Sequence, residues 1–159
     1  MTITRTTRKI LNALGFDGAR VDIVLCGDDF IRALNLKYRD LNRATNVLSF
    51  PQENMDEGAF LNETPAVKSW FARFGKTLSE PGTVGKNPLI LGDIVISTDA
   101  ISRDASRRNV PETEELQKNI IHGILHLLGW DHMNKRERDR MRKLEKKLFE
   151  KVSGKGAGK

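Results

Sequence analysis

The chain has 159 residues, enough for one domain that buries most of its apolar surface without disulfide or metal staples. Its one cysteine, Cys26, excludes an intramolecular disulfide and fits a reducing cytosol, and no apolar run reaches the roughly eighteen residues that a helical membrane span needs. A formal charge of +6 and a pI near 9.6 point to a polyanionic partner such as RNA.

In chain order, MTITRTTRKILNALGF lacks the apolar core of a secretory signal, and Ile3, Ile10, Leu11 and Leu14 suit a helix over about Thr4 to Leu14 that stops at Gly15. Val21 to Cys26 alternates and then runs apolar, which predicts a strand with a small buried thiol at its end. Asp28 and Asp29 start a helix that Ile31, Leu34, Leu36 and Tyr38 carry to about Arg39, followed by a loop from Asp40 to Thr45. Asn46 to Phe50 reads as a short strand closed by Pro51, with one wet and one buried face. Residues 52 to 88 form a long loop punctuated by Gly and Pro, with a short helix expected at Ala66 to Phe74 and Trp70, Phe71 and Phe74 as its aromatic anchor.

Leu89 to Ser97 is the strongest strand, and Gly92 inside it permits a bulge or the close approach of another backbone. Asp99 to Arg108 is helical and basic. Pro111 suits the first turn of the next helix, and Glu112, Glu114 and Glu115 suit its positive end. That helix runs to Leu128, and Leu116, Ile120, Ile121, Ile124, Leu125, Leu127 and Leu128 cover most of its circumference, which makes it the central helix. A last helix, about Lys135 to Val152, carries Met141, Leu144, Leu148 and Phe149 on one stripe; residues 153 to 159 are a flexible basic tail. Residues 135 to 159 hold eleven Lys/Arg against four Asp/Glu, a count that a nucleic-acid face or a solvated helix would both produce. No internal repeat or second domain is evident. The predicted fold is α+β: one domain over residues 1 to 152, with a small mixed sheet packed on helices around the central apolar one.

All three histidines fall in HGILHLLGWDH, residues 122 to 132. On a helix, His122 and His126 share a face, and Gly129 can take the left-handed conformation that reverses the chain and returns His132. Three neutral imidazoles with an open fourth position describe a catalytic zinc site, one ion per chain, although nickel or another late transition ion is also accepted by such a set. Ordinary hydrogen-bonded histidines on a helix face are the bland alternative. The spacing matches the metzincin pattern of metalloproteases except that Gly123 stands where those enzymes carry the glutamate that deprotonates water.

HGILHLLGWDH resembles the H-G-x-L-H-L-x-G-[aromatic]-D-H signature of the YbeY family of bacterial rRNA-maturation endoribonucleases. LNLKYRDLNRATNVLSFP, residues 34 to 51, and LGDIVIS, residues 91 to 97, resemble two further segments of that family, and the likeness runs from about Leu11 to Leu148. The resemblance implies a metzincin-like fold and a metal-dependent, single-strand-specific endoribonuclease of 16S rRNA 3′-end maturation and ribosome quality control. It implies a cytoplasmic setting, an rRNA precursor as substrate, and the ribosomal small subunit with its associated proteins as partners. It makes residues 52 to 88 an insertion, and it leaves at most Met1 to Thr4 for a strand that family members have before the first helix. It also places Arg39 beside the metal, and the strand Asn46 to Phe50 close to the cleft.

If RNA is the substrate, Arg39 can meet two phosphate oxygens as charge develops on them, while Arg43, Lys86, Arg103 and Arg107 extend a positive path for the backbone. Asp131 either takes a proton from water or orients a histidine. Aromatic residues are few, so base stacking is a minor contribution. Two other readings stand beside this one: a metzincin-like metallopeptidase, opposed by Gly123, and a non-catalytic ribosome-associated assembly factor with a structural metal.

Overall fold

The computed structural model describes residues 2–52, 89–130 and 134–154. Helix α1 (Ile3–Ala13) is capped by the Thr2 hydroxyl, which accepts the Arg5 N–H. It begins a residue before the predicted start because Thr6 and Thr7, buried against the core, donate their hydroxyls to the carbonyls of Thr2 and Ile3. Thr2 and Ile3 are thereby committed to the helix, and among the described residues no strand precedes α1.

The sheet has three strands, β1 (Arg20–Cys26), β2 (Val47–Pro51) and β3 (Ile90–Ser97), in the order β1-β3-β2, with β1 parallel and β2 antiparallel to β3. The near-continuous apolar run of β3 is accounted for by cover on both faces. Leu91, Ile94 and Ile96 enter the main core, whereas Val95 joins Ile31 and Leu48 in a smaller cluster under α2 (Asp28–Arg39). Cys26 is only half-buried, and its thiol donates to the Ile96 carbonyl at 3.6 Å.

Both uses foreseen for Gly92 occur. Arg20 pairs with Ile90 and Val21 with Gly92, so Leu91 is the extra residue of a bulge. Gly92 has φ +139°, and a Cβ there would lie 2.2 Å from the Phe50 carbonyl oxygen of β2.

Helix α3 (Thr98–Arg108) leads to α4 (Glu112–Leu127), the central helix, which packs on α1, α3, β2 and β3. Pro111 sits one position earlier than predicted, as the cap in extended conformation, and its carbonyl accepts the N–H groups of Glu114 and Glu115. Ile120, Ile121, Ile124, Leu125 and Leu127 of α4 are buried, as expected from their spacing. Helix α5 (Lys135–Ser153) is capped by Asn134 and closes the core over α4 and α1 with Met141, Leu148 and Val152. Its end at Ser153, with Gly154 as left-handed cap, takes up the first residues of the predicted tail. The helix expected at Ala66 to Phe74, the aromatic anchor, nearly all of the insertion and the end of the tail lie outside the described residues.

Gly92→Ala is expected to destabilise the fold by at least about 2 kcal/mol, because it adds overpacking to backbone strain. Urea denaturation followed by circular dichroism measures this, with the surface change Lys9→Ala as the comparison.

Candidate metal centre and its cleft

The α-helical repeat sets His122 and His126 one turn apart on α4, with their Nε2 atoms 3.0 Å from each other and their rings crossed at 77°. Zinc binds imidazole nitrogen at about 2.0–2.1 Å, so one ion fits at bonding distance from both atoms, and the donor chemistry suits a late transition ion. His122 Nδ1 lies 2.6 Å from Glu145 Oε1 on α5. A carboxylate on Nδ1 fixes the tautomer with the proton on that side and leaves the Nε2 lone pair for a ligand.

The helix stops where the sequence says it should. Gly129 has φ +81°, its N–H reaches the His126 carbonyl, and the Trp130 N–H reaches the Leu125 carbonyl, so the chain turns directly after the second histidine. Asp131 and His132 lie outside the described residues. Among the described residues no three His, Cys, Asp or Glu side chains form a metal-holding group.

The glycine in the protease glutamate's place has a packing role. A Cβ at Gly123 would come within 2.9 Å of the Ile94 side chain on β3, and the Gly123 carbonyl accepts the Ser49 hydroxyl of β2 at 3.1 Å. Position 123 therefore faces the sheet and leaves no room for a base.

Around the histidines opens a cleft of about 1270 Å³. The elements that bear it adjoin one another in turn: Tyr38 of α2 stands edge-on to Phe50 of β2 at 5.2 Å, Ser49 of β2 bonds α4, and α4 bonds α5 through Glu145. Arg39, the last residue of α2, lines the cleft. Asp40 then takes a left-handed conformation (φ 56°), and the buried Asn35 amide holds the Arg43 carbonyl at 2.8 Å, which keeps Arg43 on the same wall. Arg39 and Arg43 thus stand in one cleft with His122 and His126.

Arg103 and Arg107 do not line it. The Arg103 guanidinium is bonded to Asp28, which also accepts the Ser97 hydroxyl at 2.6 Å, and Arg103 first and Ser97 second hold the Asp28 carboxyl below the usual range. Arg107 pairs with Asp104 at 3.1 Å, and Asp104 in turn accepts the Asn46 amide. Both arginines stay on the surface, Arg103 where α3 meets the start of α2 and Arg107 in a pair within α3. Lys86 lies outside the described residues.

Glu145, Arg142 and Lys146 of α5 line the cleft without having been singled out in the sequence. The available signal for Glu145 was a carboxylate at the edge of the Met141, Leu144 and Leu148 stripe. For the two cations there was only the general basic excess.

Compared with known proteins, residues 1–153 match the family described as Endoribonuclease YbeY. An Endoribonuclease YbeY of Syntrophus aciditrophicus is 34% identical over 149 residues, which is 92% of this chain and 77% of the relative. That of Pelotomaculum thermopropionicum is 34% identical over 148 residues, 92% of this chain and 82% of the relative. Among solved structures, the solution structure of a Thermotoga maritima protein superposes with a TM-score of 0.58 at 24% identity, covering 96% of this chain and 82% of that one, and so shares the fold.

Glu145→Ala is expected to weaken metal binding by roughly 10–100-fold, with Glu145→Gln, which keeps an acceptor, in between. Competition with a chromophoric chelator reads the affinity, and the melting temperature of the metal-free variants should stay near that of the parent.

Proposed function

This chain belongs to the Endoribonuclease YbeY family, and on that premise we propose that it is a metal-dependent endoribonuclease cleaving single-stranded rRNA precursors, in 16S rRNA 3′-end maturation and ribosome quality control. The observation that carries this reading is the pair of imidazole nitrogens 3.0 Å apart in a cleft that also holds Arg39 and Arg43. His122, His126 and His132 hold one zinc ion, or a nickel or similar ion in its place. When bound, such an ion supplies Lewis acidity, which makes water a nucleophile near neutral pH and draws charge from a phosphate oxygen.

The remaining work belongs to the chain's own groups. Arg39 meets two phosphate oxygens at once through its planar fork, where negative charge accumulates in the transition state. Arg43, on the same wall, holds a neighbouring phosphate. Glu145 orients His122, and to Asp131 falls proton transfer at the attacking water or the orientation of another histidine. The partners are the rRNA precursor and the small ribosomal subunit with its associated proteins, in the cytoplasm. Among the described residues no helix is long and apolar enough to cross a membrane. A peptidase of metzincin type has no support, since the position of its base is a glycine packed on Ile94.

Purified protein is expected to cut single-stranded RNA and leave casein intact, and a chelator should stop it. His126→Ala should abolish cleavage, and Arg39→Ala should lower kcat/KM by roughly 10²–10³-fold, the usual loss for a donor to a developing oxyanion. Gel analysis of the RNA checks each arm. Casein cleavage, or metal-loaded protein that sediments with small subunits without cutting RNA, would overturn the assignment.

A further inference from the structure

The cleft is lined by six Lys or Arg side chains and two glutamates. Two of the cations are neutralised in place: Arg108 pairs with buried Glu115 at 3.2 Å, and Lys118 with Glu114 at 3.0 Å. The other four, Arg39 and Arg43 at the α2 end and Arg142 and Lys146 on α5, are exposed and have no ion-pair partner among the described residues. They stand on two walls. The adjoining elements run from α2 through β2 to α4 and then α5, so the helix that carries the histidines stands between the elements that carry the two pairs.

Arg142 and Lys146 are four positions apart on one helix, about 6 Å along its axis, and they flank Glu145, whose carboxylate is turned to His122. The glutamate faces the metal centre while its basic neighbours along the helix remain available for an anion. A small anionic substrate would need one wall. Free cations on both sides of the reacting centre suit a polyanion that continues in both directions from it.

We infer that Arg142 and Lys146 form a second phosphate-binding wall, which holds the RNA backbone on the opposite side of the scissile phosphate from Arg39 and Arg43. This rests on the endoribonuclease reading and adds to it a substrate track. The strand enters over one wall and leaves over the other, so productive binding requires RNA on both sides of the cut. An internal bond is preferred over a terminal one for that reason.

The test is the double variant Arg142→Gln/Lys146→Gln, with Arg5→Gln/Lys9→Gln on α1 as a control of equal charge change. Binding of a single-stranded oligoribonucleotide is followed by fluorescence anisotropy over a series of salt concentrations. The slope of log K against log salt should fall by about 1.4, since each phosphate contact to a single strand contributes roughly 0.7. On the same RNA, KM should rise roughly tenfold while the change in kcat stays within about twofold. On a dinucleotide too short to reach both walls, parent and variant should converge. The control should move none of these, and the melting temperatures should agree. An unchanged slope and KM, or a loss in kcat alone, would overturn the wall. If the parent binds RNA without cutting it, the nuclease reading fails while the slope still decides the track; if it binds none, both fail.

Discussion

The distance between α4 and the sheet is the constraint on which the site depends. Gly123 lets the helix settle onto Ile94, and the Ser49 hydroxyl ties the same residue's carbonyl to β2. A larger residue would press on the Ile94 side chain between the two imidazoles, which lie one residue before and three after the contact. Close packing in a protein interior is unforgiving of even a methyl group. The absence of a side chain at the protease base's position and the tight seating of the histidine helix are therefore two results of one glycine.

From that contact the rest follows outward. One helix supplies the buried Ile120, Ile121, Ile124, Leu125 and Leu127 and also the two histidines, so the core and the reacting centre cannot move independently. The sheet fixes α4 from one side and α5 fixes it from the other. Glu145 reaches His122 only because Met141, Leu148 and Val152 seat α5 on the core. At the opposite wall, the left-handed turn at Asp40 and the buried amide of Asn35 do for Arg39 and Arg43 what packing does for the histidines.

Much of this was legible in the residues. Apolar spacing located the five helices and three strands of the described residues to within a residue or two, since period and burial are the same fact seen twice. Gly129 and Gly92 announced a helix stop and a backbone crossing because only glycine takes those conformations cheaply. The partners of charged groups were not legible. Arg103 and Arg107, though exposed, are paired with Asp28 and Asp104, residues 75 and 3 positions away, and nothing local distinguishes them from Arg142 and Lys146, which have no ion-pair partner among the described residues. Glu145 lies 23 positions from His122, and their meeting depends on how α5 rotates against α4, which no periodicity encodes.

The late position of α5 along the chain has a temporal consequence. Synthesis delivers the N-terminal part first, so α4 with both imidazoles leaves the ribosome before the segment that orients His122 and covers the apolar side of α4. A nascent chain halted between Gly129 and Glu145 carries the two imidazoles but neither the carboxylate that orients His122 nor a finished core. The orientation of His122 is thus withheld from the growing polypeptide until α5 has emerged and docked.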